Sequence, residues 1–341
     1  MSSNNAHVQD LNEYAQDRKG VKDRRGSVLL SFLIPVYNEQ ETIKLFLECV
    51  DAELAGVHDL SVEYVFVNDG SRDDTWMILV ELQRHRSDIV AIDLTRNFGK
   101  EAAMSAGLEV VAGDVIVPID VDLQDPPDLV PAMLSAWREG ADVVLARRAD
   151  RSKDAWLKRK SANWFYRFHN LVASPKIPEN VGDFRLMDRA VVDALKLLPE
   201  SRRFMKGLFA WVGYPTVVLD YTREERVAGE SKFNTWKLWN FALEGITSFS
   251  TAPLRIWTYL GIAVSAFCFF LAVVLAIRVL AFGADVPGYA SIMVAIVMMG
   301  GLQMIGIGML GEYIGRTYLE SKRRPVYLIR EVLGKSRESH K

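Results

Sequence analysis

Asp114-Val-Ile-Val-Pro-Ile-Asp120-Val-Asp122-Leu-Gln124-Asp125-Pro126-Pro127 is an apolar run that ends abruptly in carboxylates. Val115, Ile116, Val117 and Ile119 suit a strand buried on both faces, and Pro118 marks where its hydrogen-bond ladder ends. Asp120 and Asp122 are two residues apart, so in extended chain their side chains point the same way. Two carboxylates held together beyond a buried strand repel each other unless a cation sits between them. A divalent, oxygen-preferring ion that bridges to substrate phosphates is the natural partner. An isolated Asp-x-Asp also fits a plain loop before the helix that Pro126-Pro127 starts.

The neighbouring segments repeat the pattern. Val28-Leu-Leu-Ser-Phe-Leu-Ile34 reads as a buried strand stopped by Pro35, and Asn38-Glu39-Gln40-Glu41 opens an amphipathic helix carrying Ile43, Phe46, Leu47 and Val50. Residues 61–67 form a second strand ending in Asn68-Asp69-Gly70-Ser71. Residues 89–94 form a third, followed by Arg96-Asn-Phe-Gly-Lys100 and another helix. The quoted stretch is fourth and residues 141–146 are fifth. Such alternation specifies a doubly wound, mostly parallel α/β sheet, whose ligand lies beyond the carboxyl ends of the strands. The polar clusters fall at those ends: Asn38/Glu39, Asp69, Arg96/Lys100, Asp120/Asp122/Gln124 and Arg147. Carboxylates for a metal and a ribose, beside cations for phosphates, describe a nucleotide site. The spacings of the Gly-x-Gly-x-x-Gly and Walker loops are absent, which excludes the dehydrogenase and P-loop classes.

Composition bounds the remainder. Of 341 residues half are hydrophobic and a quarter charged, with a net charge of −2, and nothing in that balance suggests nucleic acid. Cys49 and Cys268 are the only cysteines, so there is neither a disulfide framework nor zinc spacing. Residues 1–27 are polar and read as a disordered tail. Residues 256–277 and 289–310 are each about 22 residues without charge, long enough to cross a bilayer. A short turn joins them, so the expectation is a two-helix transmembrane hairpin. Lys237, Arg255, Arg316, Lys322, Arg323 and Arg324 flank it, and the positive-inside rule puts both termini in the cytoplasm. Glycines 300, 301, 306, 308 and 311 allow close helix approach and predict a homo-oligomer.

Pro35-Val-Tyr37-Asn38-Glu39, Val67-Asn-Asp69-Gly-Ser71, Arg96-Asn-Phe-Gly-Lys100 and Asp120-Val-Asp122-Leu-Gln124-Asp-Pro126 resemble the inverting nucleotide-sugar glycosyltransferases of GT-A, Rossmann-like fold, glycosyltransferase family 2. Val181-Gly-Asp183-Phe-Arg185, Phe204-Met-Lys-Gly-Leu208, Arg226-Val-Ala-Gly-Glu-Ser-Lys232-Phe-Asn234 and Gly308-Met-Leu-Gly-Glu-Tyr-Ile-Gly-Arg316 are similar to its polyprenyl-phosphate branch, which includes dolichol-phosphate mannose synthase and the prophage bactoprenol glucosyltransferases. The resemblance covers about residues 29–327. It implies a catalytic domain over 28–232, a juxtamembrane amphipathic helix over 233–253, the two spans within 254–312 and a C-terminal tail over 313–341. The place implied is the bacterial inner membrane, multi-pass, with the catalytic domain cytoplasmic.

Carried across residue by residue, the resemblance implies that Pro35, Tyr37 and Glu39 line a uridine pocket and Asp69 binds base or ribose. Arg96 and Lys100 face the nucleotide. Asp120, Asp122 and Gln124 hold Mg2+ or Mn2+ on the diphosphate, Arg147 meets a donor or acceptor phosphate, and Arg226 and Lys232 close over the phosphates. Asp183 orients the sugar, acts as a base, or simply holds Arg185. The implied donor is UDP-glucose and the implied acceptor undecaprenyl phosphate, giving a β-linked glucosyl phosphoryl lipid for O-antigen modification. Aminoarabinose, mannose or N-acetylgalactosamine as the sugar stays open, and a non-enzymatic scaffold is disfavoured by the intact carboxylate set. Residues 153–171 and 233–249, where aromatics alternate with Lys and Arg, read as interfacial helices against membrane lipid.

Overall fold

The computed structural model describes residues 24, 26–148, 181–198, 200, 203, 205–221, 252–282 and 288–334. Arg226, Lys232 and the aromatic-basic stretches 153–171 and 233–249 lie outside the described residues.

Strands β1 (Val28–Val36), β2 (Leu60–Asn68), β3 (Ile89–Leu94) and β4 (Val115–Pro118) run parallel in the spatial order β3-β2-β1-β4. Their side chains alternate between two cores. Leu30, Phe32 and Ile34 join Tyr64, Phe66, Val115 and Val117 on one face; Leu33, Val65, Val67 and Ile116 lie on the other. Each such large apolar side chain, fully buried, contributes about 1.5–3 kcal/mol relative to exposure. The crossovers are helices α1 (Ile43–Leu54), α2 (Thr75–His85), α3 (Lys100–Val110) and α4 (Val130–Arg138). Residues of α1, α2 and α4 belong to the first core, and residues of α3 to the second. Helix α3 can lie close to the sheet because five of its seven buried residues, Ala102, Ala103, Ser105, Ala106 and Gly107, are small; a Cβ on Gly107 would strike Leu33. That closeness delivers Lys100, the first residue of α3, to the carboxyl edge of the strands.

Beyond β4 the sheet departs from the simple alternation. Strand β5 (Val143–Arg148) is separated from β4 by β6 (Val181–Asp188), antiparallel to both, and β7 (Thr216–Tyr221) adds parallel to β5. Helices α5 (Arg189–Lys196) and α6 (Met205–Trp211) cover the second core. The result is a mostly parallel α/β sheet with one antiparallel strand inserted where sequence alternation placed β5.

Helices α7 (Ala252–Phe282) and α8 (Tyr289–Ser321) form where the two spans were expected. Among the described residues, however, no helix is long and apolar enough to cross a membrane, which overturns the reading of a multi-pass inner-membrane protein with cytoplasmic termini. Freedom from charge over a stretch of sequence is a property of composition and does not by itself make a crossing. Helix α8 also runs on through Glu312, Arg316 and Glu320, with Arg316 and Glu312 paired at 2.9 Å. Of the glycines expected to serve an oligomer, Gly306 is used within the chain: a Cβ there would meet the Trp257 indole of α7, whereas nothing among the described residues lies within 4 Å of a Cβ at Gly300, Gly301, Gly308 or Gly311.

The terminal stretches expected as tails both contribute contacts. Arg24 donates to the carbonyls of Trp137 and Ala141 at 2.7 and 2.9 Å and pairs with Asp142 at 2.6 Å. Strand β8 (Ile329–Leu333) pairs antiparallel with β3 and completes an eight-stranded sheet in the order β7-β5-β6-β4-β1-β2-β3-β8.

Candidate active site

Because β1 leads through α1 to β2 on one side while β4 lies on its other side, the strand order reverses between β1 and β4. Crevices at such reversals, beyond the carboxyl ends, are where open α/β sheets bind ligands. A cavity of about 310 Å³ opens there, lined by Pro35, Val36, Tyr37, Glu39, Asp69, Asn97, Gly99, Lys100, Asp120, Val121 and Asp122. It gathers seven of the residues expected in the site.

Pairing of Val36 with Asn68 and of Leu33 with Pro118 sets the level at which the three loops leave the sheet. The loop after β1 turns through Asn38, whose φ of 55° is left-handed, a conformation Asn tolerates. It is sewn to the loop after β2: Asn38 N–H donates to Ser71 Oγ at 2.9 Å, Arg72 N–H to Asn38 Oδ1 at 2.8 Å, and Glu39 N–H to Thr75 Oγ1 at 2.9 Å. Thr42 Oγ1 donates to the Glu39 carboxylate at 2.9 Å and fixes it on the rim.

Asp69 is buried and accepts two backbone donors, Phe98 N–H at 2.7 Å and Gly99 N–H at 2.9 Å. Burial pushes its pKa above the ordinary carboxylate value, opposed by those two donors and by Arg96. The loops 68–71 and 96–99 are in backbone contact. Gly70 has φ +66°, and a Cβ there would lie 2.5 Å from the Arg96 carbonyl carbon, so no side chain fits.

Lys100 holds the opposite wall. Its Nζ lies 2.7 Å from Asp120 and 3.0 Å from Asp183, so one ammonium joins the ends of β4 and β6. Burial alone would lower the Lys100 pKa; Asp183 and Asp120 outweigh it and hold the group well above the ordinary lysine range. The Asp183 carboxylate thus pairs with Lys100 and also acts electrostatically on Arg185. The Arg185 guanidinium donates to the backbone carbonyls of Gly182 and Asp183 at 2.7 and 3.3 Å and stacks 4.0 Å from the Phe209 ring. Burial pushes its pKa down to about 10 against the pull of Asp183 and Glu101.

Asp120 and Asp122 both line the cavity. Leu123 takes φ 54°, and Gln124 N–H folds back onto Asp122 Oδ1 at 3.1 Å. Gln124 is buried, and its Oε1 has no hydrogen-bond partner among the described residues. A buried amide oxygen left unpaired is costly and calls for a donor or a cation. No group of three or more His, Cys, Asp and Glu among the described residues is placed to hold a metal. The set expected from the sequence is two carboxylates and an amide oxygen, with Asp120 and Asp122 in the lining and Gln124 outside it. All three are hard oxygen ligands of the kind Mg2+ and Mn2+ take, together with substrate phosphates and water.

Four of the described residues expected in the site are not in the lining: Asp183, which reaches it through Lys100, Gln124, Arg96 and Arg147. Arg96 is not part of the lining; its guanidinium lies 4.0 Å over the Phe98 ring and donates to Asn97 O. Arg147 is also outside it, at the end of β5, where its fork engages Asp220 of β7 at 2.6 and 2.9 Å. This exposed pair raises the Arg147 pKa and lowers that of Asp220. Sequence reasoning missed Asn97 and Gly99 as lining residues, although both sit inside the Arg96–Lys100 motif.

The fold and these loops are those of a glycosyltransferase. Residues 31–196 match the model for glycosyl transferase family 2, and the chain belongs to that family; it is a glycosyltransferase with the GT-A arrangement. It is 54% identical over 303 residues to the prophage bactoprenol glucosyl transferase homolog of Escherichia coli K12, covering 89% of this chain and 99% of that protein. Identity is also 54% over 301 residues to the bactoprenol glucosyl transferase of Shigella phage SfV, covering 88% and 98%. Among solved structures, the mannosyltransferase PcManGT of Pyrobaculum calidifontis, in complex with GDP-Man and Mn2+, is 17% identical with a TM-score of 0.47, covering 94% of this chain and 93% of that one.

Proposed function

We propose that this enzyme transfers glucose from UDP-glucose to undecaprenyl phosphate with inversion, giving a β-glucosyl phosphoryl lipid. The observation that carries the reading is the cavity itself, where Glu39 and Asp69 on one wall face Lys100, Asp120 and Asp122 on the other. The names of the relatives, at 54% identity over nearly their whole length, supply glucose and bactoprenol.

Pro35, Tyr37, Glu39 and Asp69 bind the uridine half. Tyr37 offers a ring and the two carboxylates accept from base and ribose hydroxyls. Asp120, Asp122 and Gln124 would hold Mg2+ or Mn2+. When bound, such an ion offsets the negative charge that grows on the departing diphosphate. Lys100 adds a fixed positive charge beside Asp120. Arg226 and Lys232 are assigned to the same phosphates on their motif alone. Arg147, exposed at the carboxyl end of β5, is assigned to a phosphate by the resemblance, and its fork would have to give up Asp220 to meet one.

The acceptor needs no general base. A phosphate monoester has a second pKa of about 6, so at pH 7 it is largely the dianion and already nucleophilic. The chain's task is to line this oxygen up opposite the leaving diphosphate and to neutralise charge. Asp183, held by Lys100, orients the sugar. The test is incubation of the purified enzyme with radiolabelled UDP-glucose, undecaprenyl phosphate and Mg2+. Label is expected in the organic phase only when the lipid is present. Label appearing there instead from UDP-N-acetylgalactosamine or GDP-mannose, and not from UDP-glucose, would overturn the donor assignment.

A further inference from the structure

Strand β8 does more than cover a sheet edge. It arrives only a few residues after α8 and pairs with β3, placing Arg330 opposite the end of β3. The Arg330 side chain is 59% exposed, yet its guanidinium reaches a carboxylate that is 1% exposed: Nη1 lies 2.9 Å from Asp93 Oδ2. Its Nη2 donates to Thr95 O at 2.8 Å. Next to it Thr95 N–H donates to the carbonyl of Leu328, the residue before β8, at 2.9 Å, so the C-terminal segment grips Thr95 through both backbone groups.

Asp93 hands the contact on. Its Oδ1 accepts from Asn68 Nδ2 at 2.8 Å. Asn68 Oδ1 in turn accepts Ser71 N–H at 3.2 Å, and Ser71 Oγ accepts Asn38 N–H. Asn68 and Thr95 are the roots of the two loops, 68–71 and 95–99, that meet at Gly70 and clamp Asp69 between Phe98 and Gly99. A single guanidinium therefore fixes the starting points of both loops on the uridine side of the cavity. It does so without touching the cavity.

We infer that Arg330 is a positioning residue for the nucleotide half of the donor, acting through Asp93 and Asn68, so that the C-terminal strand tunes donor affinity. The inference rests on the nucleotide-sugar reading of the cavity. Arg330→Gln leaves the buried Asp93 carboxylate without its cation. Asp93 keeps its hydrogen bond from Asn68 and Thr95 O loses its side-chain donor, so the roots of the two loops are held less firmly. Loss of one charge-assisted contact, only part of it transmitted, corresponds to about five- to twentyfold weaker binding of the nucleotide. The acceptor should feel no change, because the relay ends on the uridine side.

The experiment is calorimetric titration of the full-length protein with UDP, alongside steady-state KM values for donor and acceptor. Arg330→Gln is expected to weaken UDP binding and raise the donor KM by that factor, with kcat and the acceptor KM within twofold of wild type. Arg330→Lys, which keeps the charge and loses the fork, should lie between. Asp93→Asn in the Arg330→Gln background should recover part of the affinity, because the buried charge is gone. Glu331→Gln on the same strand should bind as wild type does. If Arg330→Gln only lowers the melting temperature, with UDP affinity and donor KM unchanged below the transition, Arg330 is structural and the inference falls. If Arg330→Gln does not fold, Arg330→Lys decides on the same readouts. If wild type itself binds no UDP, the functional reading of the cavity fails, an outcome distinct from wild type and variant binding alike.

Discussion

Replacing Lys100 by Met removes an ammonium that Asp120 and Asp183 share while keeping most of the side-chain volume. At 2.7 Å, the nearer of its two contacts, the gross Coulomb attraction is about 1.5 kcal/mol at the dielectric of water and about 6 kcal/mol at an effective value of 20. The side chains of Lys100 and Asp120 are 41% and 43% exposed, so solvent screening pulls that contact toward the lower figure, and exposed pairs retain only about 0.2–1 kcal/mol. Asp183 is better shielded at 23%, and the substitution also leaves two carboxylates facing each other. The net loss should be about 1–3 kcal/mol, or about 2–4 °C of melting temperature per kcal/mol for a domain of this size. The assay is thermal unfolding of wild type and Lys100→Met, first in EDTA and then with millimolar MnCl2. In EDTA the variant should melt lower; with the divalent ion available to the carboxylates, the gap should narrow. A variant that melts with wild type in EDTA would refute the charge-compensation argument. A gap unchanged by the metal would refute the fit of Asp120 and Asp122 to it.

Other expectations follow from the same geometry. Asp183→Asn should keep kcat within about tenfold of wild type, since a dianionic acceptor needs no base; a fall of three orders of magnitude in single-turnover transfer would make Asp183 the base. Gly70→Ala forces a side chain into left-handed backbone against Arg96, at a cost of about 1–3 kcal/mol or more, and should raise the donor KM as the two loops separate; unaltered kinetics would contradict the tight loop contact. Tyr64 donates to Asp51 at 2.6 Å, and burial first, then Asp51, raises its pKa from 10.0. The folded state thus holds the phenol proton that the unfolded chain releases. The contribution is whole below pH 10.0 and is lost as pH climbs from there toward the raised folded value. Urea unfolding should therefore show Tyr64→Phe less stable by about 1 kcal/mol at pH 8, with the difference shrinking above pH 10; a constant difference across that range would show that the phenol titrates alike in the folded and unfolded chains.

What the chain discloses in advance depends on how far apart the partners lie. Asp120 and Asp122 are legible because a buried strand with period two ends beside them, and parallel alternation then fixes which edge of the sheet they share with Glu39 and Asp69. The shared ammonium is not legible. Asp183 follows Lys100 by more than eighty residues and arrives on β6, whose antiparallel insertion breaks the alternation that placed every earlier strand. Arg147 reads as a phosphate ligand from its strand-end position, yet the β5–β7 register sets it opposite Asp220, an acid that no local pattern marks as its partner. The C-terminal strand escapes for a similar reason. Ile329–Leu333 is a five-residue, mostly exposed edge strand with the adjacent charges Arg330 and Glu331 in it, too short to stand out from the polar residues around it, and it acquires meaning only against β3. The apolar runs mislead in the opposite way. They predict helices at the correct places, but absence of charge over a stretch did not decide whether those helices cross a bilayer.

The account turns on the claim that the cavity between β1 and β4 is where the sugar–diphosphate bond breaks. The most direct measurement is the rate of UDP release from UDP-glucose in the presence of undecaprenyl phosphate and Mg2+, for wild type and Asp122→Ala. Loss of one fixed group that manages leaving-group charge should lower kcat by about a hundredfold or more. Wild type should turn over only when the lipid phosphate is supplied. Equal turnover by Asp122→Ala would contradict the account.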